Sequence, residues 1–248
     1  MDLVTLLEHL AKDYLDDRTE LVDGDGDSLW SDALLVRYLN EAQRILARRA
    51  WCIVEYGVAP AGVITLRTGV SLYPVHKSIL KVYDGTPSTQ AYPLGRANDT
   101  MIRSVSLVYD FDAFEIGVSA ALNSTADTGA TTAIASDAGS RMLRVYPTPT
   151  ATENGVQVAI KIARLPITWL TVDDTAASPE VPEDYHFLLC TYAAGKALTQ
   201  PNVDGAMKTD GRLLLAEFDA AVKEARQDRQ RFELGSSRWA FSSSTADL

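Results

Sequence analysis

Gly26-Asp27-Ser28-Leu29 is the stretch of this chain whose residue types could most directly do chemistry. In one class of ester hydrolases the serine of such a block is the nucleophile. Ser28 would then attack, His186 would act as general base, and Asn98-Asp99 would serve as a later polar block. That chemistry needs a buried strand leading into the serine, a sharp turn, and an oxyanion hole on an α/β sheet. The preceding residues, Leu21-Val22-Asp23-Gly24-Asp25, instead read as a polar turn between two helical patterns. The terminal Asp-x-x-His of that class is also missing, and Glu183-Asp184-Tyr185-His186 is what the chain offers. No catalytic residue is assigned.

Asp23, Asp25 and Asp27 alternate as in a calcium loop, but the sixth position is Ser28 where glycine is needed and the twelfth is Leu34 where glutamate is needed. A solvated turn between helices is expected. His9, His76 and His186 are the only histidines, and none has a second ligand at helical or hairpin spacing. Cys52 and Cys190 lie far apart among apolar and aromatic neighbours, which favours buried free thiols over a disulfide. With no phosphate-cradling glycine loop and no zinc-type cysteine cluster, no metal and no cofactor is expected, and the chain reads as a non-enzyme.

The charge balance points the same way. Lys and Arg number 23 against 33 acidic residues, a net charge of −10 over 248 residues. Such a chain is not built to grip phosphates, although DNA could slide past it without specific binding. The first residues carry no basic region or cleavage site, and no apolar run is long enough to span a bilayer, so neither secretion nor a membrane partner is expected.

Elements able to position partners, rather than reactants, dominate the pattern. Residues 31–51 form an amphipathic helix with Leu34, Leu35, Tyr38, Leu39, Ala42, Ile45 and Leu46 on one stripe. Ser31 stands at its N-cap, and Arg44, Arg48 and Arg49 suit its negative end. Leu3, Leu6, Leu7, Leu10, Tyr14 and Leu15 mark an earlier helix. A third opens at Pro182 and stops before Pro201, and a fourth covers residues 210–232 with Leu213, Leu214, Phe218, Ala221, Val222 and Ala225 on its apolar face.

Between Cys52 and Leu170 the period changes to two, with strands expected at 62–67, 71–73, 79–83, 105–109, 114–118, 142–146 and 156–163. The fold class is therefore α+β. N- and C-terminal helices (residues 1–51 and 181–234) make a bundle, and an antiparallel β domain, a small sandwich or barrel, is inserted at 52–170.

Two segments stand outside that plan. Residues 119–140 are almost wholly small and polar and read as a mobile loop or an extended hairpin tip. Residues 235–248 read as an extended tail carrying Trp239 and Phe241. The fourth helix keeps good helix formers past its apolar stripe, at Arg226-Gln227-Asp228-Arg229-Gln230-Arg231. Its end is either a frayed terminus or a docking arm, in which Arg226, Arg229 and Arg231 meet acidic rims and Phe232, Trp239 and Phe241 fill pockets.

Several residue words occur in an order that resembles the head–tail adaptor (connector) proteins of tailed bacteriophages, of the podovirus tail tubular protein A and portal-adaptor kind. They are LVRYLNEAQ at residues 35–43, Tyr73-Pro74 closing a strand, LRVYPTP at 143–149, and Pro182-x-x-Tyr185-His186 opening a helix. The resemblance implies a structural virion protein, assembled in the host cytoplasm. It would form a homo-oligomeric ring, twelve-fold in that family, beneath the portal protein, joined on its other side to a tail or nozzle protein. DNA would cross its lumen, and the C-terminal segment would dock on the portal. Arg44, Arg48 and Arg49 are candidates for the contact between subunits. Alternatives left open are another virion interaction or tail-tube component, and a GDSL-like esterase using Ser28.

Overall fold

The computed structural model describes residues 1–17, 28–87, 109–110, 133–137, 142–146, 148–201 and 203–239. The chain divides into two compact units, Met1–Ile53 with Pro166–Leu248, and Val54–Leu165. Helices fill the first and antiparallel strands the second, so the α+β expectation holds.

In the helical unit α1 spans Leu3–His9, started by Asp2, whose carboxylate accepts the Thr5 N–H at 2.9 Å. It passes into a π-helical segment, Leu10–Leu15, that ends at Asp16 with φ 48°. The next carboxylate, Asp17, accepts the amides of Leu29 and Trp30 at 2.9 and 3.2 Å, which fixes the entry to the second helix. Helix α2 spans Asp32–Ala50; Ser31 is its N-cap by position, through its carbonyl, and its side chain makes no capping bond. A 3₁₀ turn, Glu183–Tyr185, leads into α3, His186–Leu198, and α4 covers Gly205–Trp239.

Leu3, Leu6, Leu7 and Leu10 of the first helix, Leu35, Leu39, Ala42 and Leu46 of α2, Leu189 and Ala193 of α3, and Phe218 and Val222 of α4 are all buried. These positions recur at three- and four-residue intervals, as one-sided burial of a helix requires. Helix α4 is longer at both ends than the periodicity predicts. Gly205 opens it and Gly235-Ser236-Ser237 does not stop it, because extending a formed helix costs little per residue and propensity is a weak constraint. Residues 235–239, expected as tail, are therefore helical, and the rest of that segment, with Phe241, lies outside the described residues.

Among the described residues the β unit holds two antiparallel sheets. Strands β1 (Val54–Tyr56), β2 (Val63–Thr65), β4 (Ile79–Pro87), β5 (Tyr109–Asp110) and β8 (Gln157–Arg164) form the larger, in the order β1-β8-β4-β5 with β2 paired to β8. Strands β3 (Leu72–Pro74), β6 (Ala133–Asp137) and β7 (Met142–Tyr146) form the smaller, in the order β3-β7-β6. Val158, Ile160 and Ile162 alternate inward along β8, the period of two that identified it.

Strand β4 outruns its expected end at Tyr83 because, after an irregularity between Val82 and Gly85, its backbone continues to pair with β8 as far as Pro87↔Val158. Strand β6 falls inside the segment expected as loop or hairpin tip. It is an arm of a hairpin, paired with β7 from Ala133↔Tyr146 to Asp137↔Met142. Ladder hydrogen bonds come from the backbone, so small polar side chains did not prevent it. The expected strand at 114–118 lies outside the described residues, as does most of that at 105–109.

Candidate assembly surface

The words that carry the family resemblance have physical jobs. In α2, Asn40 Nδ2–H donates to the carbonyl of Leu170 at 2.8 Å, and the Leu170 N–H donates back to Asn40 Oδ1 at 2.9 Å. Gln43, fully buried, accepts the Glu180 N–H at 3.2 Å and donates to Asn40 Oδ1 at 3.2 Å. The Glu180 carboxylate in turn accepts the amides of Ile167 and Thr168. Asn40 and Gln43 thus hold residues 167–180 against α2, and Glu180 ties the two ends of that segment together. Glu41, next along α2, accepts the Tyr192 hydroxyl of α3 at 2.7 Å, with Lys196 at 3.5 Å. Burial first, and the Glu41 carboxylate second, push the Tyr192 phenol well above its ordinary pKa. In the β unit, buried Tyr73 accepts the Arg67 N–H at 2.8 Å and donates to Val70 O at 2.9 Å, so Tyr73-Pro74 pins its own approach loop.

The clasp creates a surface. Between α2 and residues 169–173 lies a groove of about 550 Å³, lined by Val36, Arg37, Asn40, Arg44 and Trp169 among others. Trp169 is 48% exposed. Of the three arginines expected at a subunit contact, Arg44 and Arg48 are exposed and Arg44 lines the groove, whereas Arg49 forms an ion pair with Asp219 of α4 in its own chain. Arg49 therefore closes the bundle.

Among the docking candidates, the Arg226 guanidinium lies 4.5 Å from the centre of the Trp51 ring. Trp51 caps α2 with φ 54°, an unusual conformation for a bulky residue, and the stacked cation covers it. Arg226 is thus committed within its own subunit, while Arg229 is half-buried beside it. Arg231, Phe232 and Trp239 stand on the last turns of α4.

The residues read for chemistry are not assembled for it. Gly26, Asp27 and the other turn aspartates lie outside the described residues. His186, the proposed base, is 3% exposed; Nε2 donates to Val181 O at 3.0 Å, and Nδ1 is buried with no hydrogen bond, so it is not bonded to Ser28. His76 Nδ1 meets Ser78 Oγ at 2.8 Å, but also accepts the Ser78 N–H at 3.3 Å, which makes the pair part of a local turn. Neither histidine has an orienting carboxylate on its other nitrogen among the described residues. Cys52 and Cys190 are free, and burial pushes both thiols up to about 12. Among the described residues no metal-binding cluster occurs, and no helix is long and apolar enough to cross a membrane.

Burial also holds the His186 imidazole below its ordinary pKa, against the opposing effect of the Val181 hydrogen bond. The folded chain then keeps it neutral while the unfolded chain takes up a proton below about pH 6.5, so its stabilising contribution is complete above that value and is lost as the pH falls. Thermal melts should show a smaller loss of stability between about pH 7.5 and about pH 5 for His186→Leu than for the wild type. An equal loss in both would clear His186 of the acid response.

No curated protein matches the chain. A family model described as SU10 adaptor protein matches residues 1–240. The chain belongs to that family, a family of structural phage adaptors, and the resemblance read from the residue words is borne out at that level.

Proposed function

We propose that this member of the SU10 adaptor protein family forms a homo-oligomeric ring at the head–tail junction of a phage particle, beneath the portal and above the tail or nozzle. DNA passes through the lumen without specific contacts, which a net charge of −10 favours by withholding phosphate attraction. No step of this function needs bond chemistry, and the buried histidine, the protonated thiols and the latched return segment all suit a scaffold.

The observation that carries the reading, beyond the family match, is the length of α4. Among the positions whose burial is described, Gly211, Phe218, Val222 and Ala225 are the buried ones, in a helix of 35 residues. At 1.5 Å per residue the whole is roughly 52 Å long. Arg226, one residue past Ala225, braces the helix by stacking on Trp51. The turns beyond, with Arg229, Arg231, Phe232 and Trp239, then Phe241, are the portal-docking arm. Truncation after Arg229 leaves every described buried residue of α4 in place. It should leave the melting temperature near that of the full chain and weaken binding to purified portal protein by about tenfold or more, as loss of aromatic anchors does. Unchanged portal binding would remove the arm from the mechanism.

A further inference from the structure

We infer that the arginine face of α2, together with the groove beside Trp169, receives the acidic edge of α4 from a second copy of this chain. The inference rests on the ring reading above and names the two surfaces that such a ring joins.

Arg37 and Arg44 are seven residues apart, which places them on one line of α2 about 10.5 Å apart. Both are exposed, and neither has an ion-pair partner among the described residues. They flank a groove in which Trp169 stands 48% exposed. An aromatic anchor beside two cations that make no ion pair, in a groove whose own carboxylates are Glu41 and Asp173, describes one half of a contact.

The other half is on α4. Asp210, Glu217 and Glu224 share the seven-residue spacing, are exposed, and have no ion-pair partner among the described residues. Between the first two stands Leu213, 65% exposed. The two lines therefore have opposite charge, the same pitch, and an unburied apolar side chain each.

They do not meet within one subunit. The contact between α2 and α4 runs through Arg49–Asp219 and Trp51–Arg226. At 100° per residue, Arg49 lies about 120° around α2 from Arg37, and Asp219 about 160° around α4 from Glu217. The acidic line thus faces away from α2 of its own chain, and Arg37 and Arg44, which precede the Trp51 contact along α2, form no ion pair with it. A contact between unlike faces of identical copies is head-to-tail, the arrangement that closes into rings.

The test is charge reversal in the full-length chain, followed by sedimentation velocity alone and after mixing with portal protein. Arg37→Glu with Arg44→Glu should weaken self-association by about tenfold or more, and Glu217→Arg with Glu224→Arg should do the same. All four changes in one chain should restore it, a recovery that no folding defect produces. Raising salt to about 0.5 M should weaken the wild-type contact by screening. If either double variant assembles like the wild type, or if the combined variant fails to recover, the contact is wrong while the ring stands. A wild-type chain that self-associates in neither setting overturns both.

Discussion

Replacing Gly195 with alanine is expected to lower the melting temperature by roughly 4–10 °C. Helices α3 and α4 cross with Gly195 and Gly211 back to back. A methyl group at Gly195 would stand 2.9 Å from the carbonyl oxygen of Gly211 and 2.8 Å from Leu215 Cγ. One at Gly211 would stand 2.9 Å from the carbonyl oxygen of Gly195 and 2.9 Å from Leu198 Cβ. A side chain can rotate away from such a clash, but a backbone carbonyl cannot, so the helices would have to part. Alanine favours helix over glycine by about 1 kcal/mol, which works against the loss. A measured destabilisation therefore means that the close approach outweighs propensity. Gly195→Val should cost more. Gly205→Ala is the control, because a Cβ there meets nothing within 4 Å. A Gly195→Ala chain as stable as the wild type in calorimetry would show that the crossing is not tight in solution.

Asn40→Ala should be almost as damaging, at about 2–4 kcal/mol. The amide of Asn40 satisfies both backbone groups of Leu170, at 2.8 and 2.9 Å, and Leu170 itself is buried. Removing it deletes two hydrogen bonds and strands a buried donor and acceptor. Gln43 loses a neighbour as well, so the variant should release residues 167–180 together. Denaturant titration reports the loss, and hydrogen exchange at the Leu170 amide reports its place. Protection at Leu170 unchanged in Asn40→Ala would mean that the clasp does not hold this segment.

These two sites show where the sequence was readable. The stripe of α2 could be read because burial and hydropathy coincide at Leu35, Leu39, Ala42 and Leu46. On α4 they part company. Leu213 is apolar and 65% exposed, while the buried line begins at Gly211, a residue that carries no hydropathy at all. Asn40 and Gln43 stood in plain view inside a family word, but their partners lie 130 and 137 positions away. No local pattern announces a bond of that span.

The arginines taught the same lesson. Arg44, Arg49 and Arg226 look alike in a string of letters, and only the fold gives Asp219 to one and the Trp51 ring to another. Strand β6 escaped notice because a ladder is made by backbone groups, which every residue has. The helical chemistry that does announce itself, above all the apolar stripe, marks helices toward both ends of the chain.

The bundle made from those two ends sets a timetable for its own synthesis. Cys190 of α3 donates its thiol hydrogen to the carbonyl of Leu6, a contact across 184 positions. While a ribosome is still making the β unit, the apolar faces of α1 and α2 have no α3 or α4 to cover them. At ordinary elongation rates that interval is on the order of ten seconds. During it, the nascent chain is a client for chaperones and a target for proteases. A chain halted before α3 could never close its bundle, so the pair of faces proposed above to meet, one on α2 and one on α4, would be offered together only by chains translated as far as α4.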